Sequence, residues 1–85
     1  MVINRTQRAT EQRVIDMVGW VLRTPSNRLF SYTDFQEDLN LDPLDLLLLI
    51  AQLEHHFNIY LSGEEVESIR TIGDAASCFG KEARA

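Results

Sequence analysis

The chain is short of the residues that staple, ligate or span. Its single cysteine, Cys78, cannot close an internal disulfide, and with only His55 and His56 to join it no credible zinc set can be assembled. No apolar run approaches the ~18 residues that a membrane span requires; the longest, Leu46 to Ala51, is a piece of a core helix. The start, Met1-Val2-Ile3-Asn4-Arg5, lacks the longer apolar region of a secretory signal, so a cytoplasmic location is expected. Positive charge is absent from the whole stretch between Leu29 and Ile69, which carries nine carboxylates and no lysine or arginine. A surface of that kind repels nucleic-acid phosphate and anionic lipid and steers toward basic patches on other proteins. Period-two alternation is also missing, which excludes half-buried strands.

What the 85 residues do contain is helical periodicity around enough apolar side chains for one small core. Met1 to Ala9 shows no clear period and is expected to be a flexible lead-in. From Thr10, a candidate N-cap, to Arg23, the residues Val14, Ile15, Met17, Val18, Val21 and Leu22 recur at three- and four-residue spacing, the mark of an amphipathic helix. Gly19 inside it costs about 1 kcal/mol relative to alanine, so another element is expected to approach there. Trp20 falls off the stripe and is expected to be half exposed. Pro25 ends the helix. Arg28 to Leu41 is a long connection, expected to be pinned to the core by Leu29, Phe35 and Leu39, with a short helical turn around Thr33 to Glu37.

The chain is organised around the next stretch, Asp38-Leu39-Asn40-Leu41-Asp42-Pro43-Leu44-Asp45. It predicts a helix N-terminus with Asp42 as N-cap, Pro43 at the first helical position and Asp45 in the first turn. The helix runs to Phe57 with Leu46, Leu49, Ile50, Leu53 and Phe57 as its core stripe, and Asn58 closes it. Leu44, Leu47, Leu48 and Ala51 lie on its other sides, so they either sit under a neighbouring loop or form an apolar surface. Ser62 with Glu65 has capping-box spacing for a short third helix, and Thr71 with Asp74 repeats it for a last helix from Ile72 to about Lys81. The expected fold is all-α, a small four-helix bundle of three longer helices and one short one. Residues 10–82 form the domain and 83–85 a tail.

A long helix, an anchored loop, the Asp-Leu-Asn-Leu-Asp-x-Leu-Asp corner, the ending Leu53-Glu54-x-x-Phe57 and then Ile69-x-Thr71-Ile72-x-Asp74 together resemble the acyl carrier proteins, from about Thr10 to Phe79. The resemblance implies a carrier fold whose corner reads Asp-Ser-Leu, with 4′-phosphopantetheine esterified to the serine. Here Asp42, Leu44 and Asp45 match the flanking residues and Pro43 stands at the serine position. Proline offers no oxygen nucleophile, so 4′-phosphopantetheine is not attachable at Pro43 and no cofactor is expected. Ser31, Ser62 and Ser77 are far from the corner, and none is followed by Leu-Asp.

In that family the second helix is a docking surface for basic patches on synthases and transferases. Asp42, Asp45 and Glu54 keep the acidic character, whereas Leu48, His55 and His56 replace residues that are commonly acidic. The expected partner-binding set is therefore Asp42, Leu44, Asp45, Leu47, Leu48, Ala51, Glu54 and His55. Its partners would be proteins with basic or apolar docking surfaces, with self-association through Leu44, Leu47, Leu48 and Ala51 as an option. Adjacent histidines on a helix point about 100° apart and cannot pair as i, i+4 ligands. Cys78 beside Phe79 is expected to be a small core residue. No catalytic set emerges. The expected function is a non-catalytic, carrier-like docking module of lipid or polyketide metabolism. One alternative is a genuine carrier in which Pro43 is a local or introduced substitution; another is non-covalent acyl-chain binding. A helix-turn-helix DNA binder is disfavoured by the acidic second helix.

Overall fold

A computed structural model describes the backbone of residues 5–83 and the side chains of residues 9–80. Four helices follow one another: α1 (Arg5–Leu22), α2 (Pro43–Phe57), the short α3 (Gly63–Ser68) and α4 (Ile72–Ala83). α1 packs most extensively on α4 and less on α2. This is the expected all-α bundle. The only bridge of strand type among the described residues joins Asp34 to Thr71.

α1 begins earlier than the sequence predicts. Residues 5–9 of the expected lead-in are helical, as is residue 83 of the expected tail, because α4 runs on to Ala83; residues 1–4 and 84–85 lie outside the described residues. Thr10 is consequently not an N-cap. It lies inside α1, buried, with its Cβ, Cγ2 and Oγ1 set to be ordinary neighbours of a side chain at Gly80 on α4. A small polar residue there lets α1 and α4 approach closely.

The end of α1 explains its interior glycine. Arg23 adopts the left-handed conformation (φ 55°) and turns the chain back, so that the Thr24 N–H donates to the Gly19 carbonyl at 2.9 Å. A Cβ on Gly19 would lie 2.7 Å from the Thr24 carbonyl oxygen, closer than any side chain tolerates. The approaching element anticipated at Gly19 is this returning loop.

The long connection is held from inside. Leu29 and Phe35 are buried, and Leu39 packs against the core. A 3-10 turn occupies Ser26–Arg28. The single helical turn expected around Thr33 to Glu37 is present slightly further on, as a hydrogen-bonded turn over 35–39 in which the Asp34 carbonyl accepts from the N–H groups of Asp38 (2.9 Å) and Leu39 (3.2 Å). The Asp34 carboxylate accepts the Gln36 and Glu37 N–H groups as a helix N-cap does, and the turn is not continued into a helix. The loop is tied to the start of α4 by Phe35 N–H to Arg70 O at 2.9 Å and Ile72 N–H to Thr33 O at 3.1 Å. Gly73 N–H to Ser31 O, at 2.7 Å, adds a third tie.

The core gathers Val14, Ile15 and Val18 from α1, Leu46, Leu49, Ile50 and Leu53 from α2, and Ile72, Ala75, Ala76 and Phe79 from α4. Ile69 closes it below the short α3. Phe57 lies at its edge, stacked on Phe79 with ring centroids 5.0 Å apart, and the Arg13 guanidinium covers its other surface 4.6 Å from the ring centroid. Cys78 is half-buried against this core rather than within it.

Candidate docking face and the α2 corner

The corner at the start of α2 is built by local backbone chemistry. Asp42 is extended (φ −81°, ψ 170°), and its carboxylate accepts the Asp45 N–H at 2.8 Å while its carbonyl accepts the Leu46 N–H at 3.0 Å. Pro43 takes the first helical position, where its missing N–H would have had no partner in any case. Upstream, Asn40 in the left-handed region (φ 56°) and the Leu41 N–H donating to the Phe35 carbonyl aim the chain into the corner. Asp34 anchors this loop. Its carboxyl is held below the usual carboxylate range, first by the Glu37 N–H, against some desolvation, then by the Gln36 N–H and by Arg70, whose Nη2 is 3.5 Å from Oδ2.

From that start α2 presents two unlike faces. Leu46, Leu49, Ile50 and Leu53 point inward. Outward, Leu44 is 65%, Leu47 53% and Leu48 56% exposed, with Ala51 and His55 exposed along the same side. Among the described residues no loop covers these leucines, so of the two arrangements the sequence allows, the structure adopts the apolar surface. Trp20, expected to be half exposed, is 76% exposed and adjoins this face from α1, where it lines a hollow with Val21, Arg23 and Gln52.

The remaining predicted residues are distributed around the corner. Asp42 and Asp45 stand exposed at the helix start. Glu54 is half-buried, and its Oε2 accepts the Leu61 N–H at 2.8 Å, so this carboxylate braces the α2–α3 connection. That bond was not legible in the sequence, since its partner is a backbone amide seven residues on. His55 and His56 are both exposed in the last turn of α2, and His56 meets Phe57 edge-on. On the other flank, Pro43, Leu46, Leu47 and Ile50 of α2 face Val66, Ile69 and Arg70 across an open hollow of about 330 Å³.

Chemically the corner has little to offer a reaction. Between residues 40 and 48 there is no hydroxyl, thiol or amine side chain. Among the described residues no group of histidine, cysteine and carboxylate side chains is placed to hold a metal ion, and no helix is long and apolar enough to cross a membrane. The arrangement suits contact with another surface.

Comparison with known proteins gives a consistent picture. Residues 12–79 match the protein family described as the phosphopantetheine attachment site. An acyl carrier protein of Prochlorococcus marinus (strain MIT 9515) is 39% identical over 64 residues, covering 75% of this chain and 80% of that protein. Among solved structures, the acyl carrier protein from Enterococcus faecalis superposes with a TM-score of 0.72 over 88% of this chain and 95% of its own, at 21% identity, a likeness of fold.

Proposed function

The chain belongs to the phosphopantetheine-attachment family of the acyl carrier proteins, which are non-catalytic carriers, and from that premise we propose that it keeps the carrier's docking surface while lacking the carrier's arm. The carrying observation is Pro43. It occupies the first position of α2, between Asp42 and Leu44-Asp45, where the family's attachment serine is expected, and its pyrrolidine ring has no oxygen to accept a phosphopantetheinyl group. The residues present therefore do not fit a covalently attached 4′-phosphopantetheine. Other serines do not substitute for it. The Ser62 hydroxyl accepts the Glu65 N–H in the cap of α3, Ser31 lies against the start of α4, and Ser77 lies on α4. Proline is structurally harmless at this position, which supports a fold that outlives the loss.

In this reading Asp42, Leu44, Asp45, Leu47, Leu48, Ala51 and His55 form the docking face, and Glu54 shapes its lower edge. Its partners are proteins with basic or apolar docking surfaces, such as synthase or transferase enzymes of fatty-acid or polyketide synthesis. Incubation with coenzyme A and a promiscuous phosphopantetheinyl transferase should leave the intact mass unchanged, and a gain at any serine would overturn the proposal.

A second reading is favoured by the hollow beside Pro43. Leu46, Leu47, Ile50, Val66 and Ile69 give it an apolar lining that suits a non-covalently held acyl chain. Titration with a fatty acid or acyl-coenzyme A should then shift the amide resonances of Val66 and Ile69 saturably. Resonances that stay in place would remove this reading and leave the first untouched.

A further inference from the structure

We propose that the outer face of α2 pairs with the same face of a second copy of this chain, antiparallel and about a two-fold axis. The inference rests on reading α2 as a docking face and names an occupant for it. Leu44, Leu48, Ala51 and His55 succeed one another at spacings of four, three and four residues, which lines up one seam along a helix. All four are exposed.

A two-fold pair uses the same patch on both partners, so the patch must complement itself. With the axis between Leu48 and Ala51, each Leu48 meets the other copy's Ala51, a large side chain against a small one. At the two ends each Leu44 lies under the other copy's His55. The helix macrodipoles then run in opposite directions, the favourable sense for neighbours.

Charge selects the antiparallel arrangement. Asp45 and Gln52 are seven residues apart and share one edge of the seam. Gln52 lines a hollow with Trp20, Val21 and Arg23 at the end of α1. Like edges of antiparallel helices face one another, so Asp45 of each copy is carried to Gln52 and Arg23 of the other. The two-fold axis makes that contact twice. Arg23 is exposed and forms no ion pair within the described residues. In a parallel pair unlike edges face one another, so Asp45 would meet the Leu47 edge of the other copy and stay away from Arg23. The exposed Trp20 beside Arg23 supplies further apolar surface for the other copy's α2 start to cover.

A helix of 15 residues offers a seam only about 22 Å long. The interface therefore lies at the small end of specific contacts, and the dissociation constant expected is on the order of 100 µM. Sedimentation equilibrium of the full chain from about 10 µM to about 1 mM should show the average mass rising from one copy toward two. Leu48→Glu, on an exposed position, should hold the mass at one copy with an unchanged circular dichroism spectrum. Arg23→Glu and Asp45→Arg should each weaken the dimer by about three- to tenfold, and the two combined in one chain should recover most of that loss. A single-copy mass throughout, or a dimer indifferent to Leu48→Glu, would overturn the proposal. Failure of the combined charge reversal to recover association would overturn the antiparallel pairing. The coenzyme A experiment is independent of this one, so a monomer of unchanged mass removes the self-pairing alone, while a mass gain removes the armless reading alone.

Discussion

The inner face of α2 carries Leu46, Leu49, Ile50 and Leu53 at exposures between 0 and 9%, and the outer face carries Leu44, Leu47 and Leu48 at 53 to 65%. The residue type is nearly the same on both sides, so composition does not separate their roles; position on the helix does. Inner leucines are paid for by folding, since each removes apolar area from water when the bundle closes, at roughly 25 cal/mol per Å². Outer leucines gain nothing comparable in the isolated chain, and an apolar stripe on a surface otherwise crowded with carboxylates gains only when something covers it.

The sharpest way to break this contrast is to truncate one leucine on each face. Leu53→Ala should destabilise the domain by about 2–5 kcal/mol in urea unfolding, because it removes a fully buried side chain and leaves a cavity. Leu48→Ala should stay within about 0.5 kcal/mol of the parent. Equal losses at the two positions would mean that the outer face is structural after all.

The same logic extends to the bundle's tight and open backbone positions. Gly19→Ala would force a Cβ to 2.7 Å from the Thr24 carbonyl oxygen and should cost about 1–3 kcal/mol, whereas a Cβ at Gly63 meets nothing within 4 Å. Gly63→Ala should therefore unfold at nearly the parental urea midpoint. At the corner, Asp42→Ala removes the acceptor of the Asp45 N–H and should cost about 1 kcal/mol, with m-value unchanged.

How much of this was legible depends on how local its cause is. Asp42-Pro43 and Ser62 with Glu65 were readable because a cap is made within four residues. The start of α1 was misread because Thr10 has the chemistry of a cap, yet the helix continues through it to pack against Gly80 on α4. The left-handed turn at Arg23 was invisible, since arginine carries none of the signal that glycine or asparagine would. The Asp34–Arg70 pair joins residues that only the folded loop brings together. For the outer face of α2, the helical wheel identified Leu44, Leu47, Leu48 and Ala51. It could not decide their exposure, because that depends on where the long loop runs.

The smallest expected effect belongs to that loop. Asp34 has its carboxyl held below the ordinary value of 3.8 in the folded chain, chiefly by the Glu37 N–H. The stability it contributes is present above the unfolded value and is lost as pH falls through the lower folded one. Asp34→Asn should thus unfold more readily than the parent near neutral pH, and the difference should close in acid, below about pH 4. A gap between the two urea midpoints that stayed constant down the acid limb would show that the charge on Asp34 is not what anchors the loop. The outer leucines should be indifferent to the same titration.

The central claim, an intact carrier corner without its attachment point, is tested most directly by intact mass spectrometry of the parent and of Pro43→Ser. Both are treated side by side with coenzyme A and a promiscuous phosphopantetheinyl transferase. The parent should keep its mass, and Pro43→Ser should gain one phosphopantetheinyl group. A gain by the parent, or a Pro43→Ser chain that stays unmodified, would contradict the account.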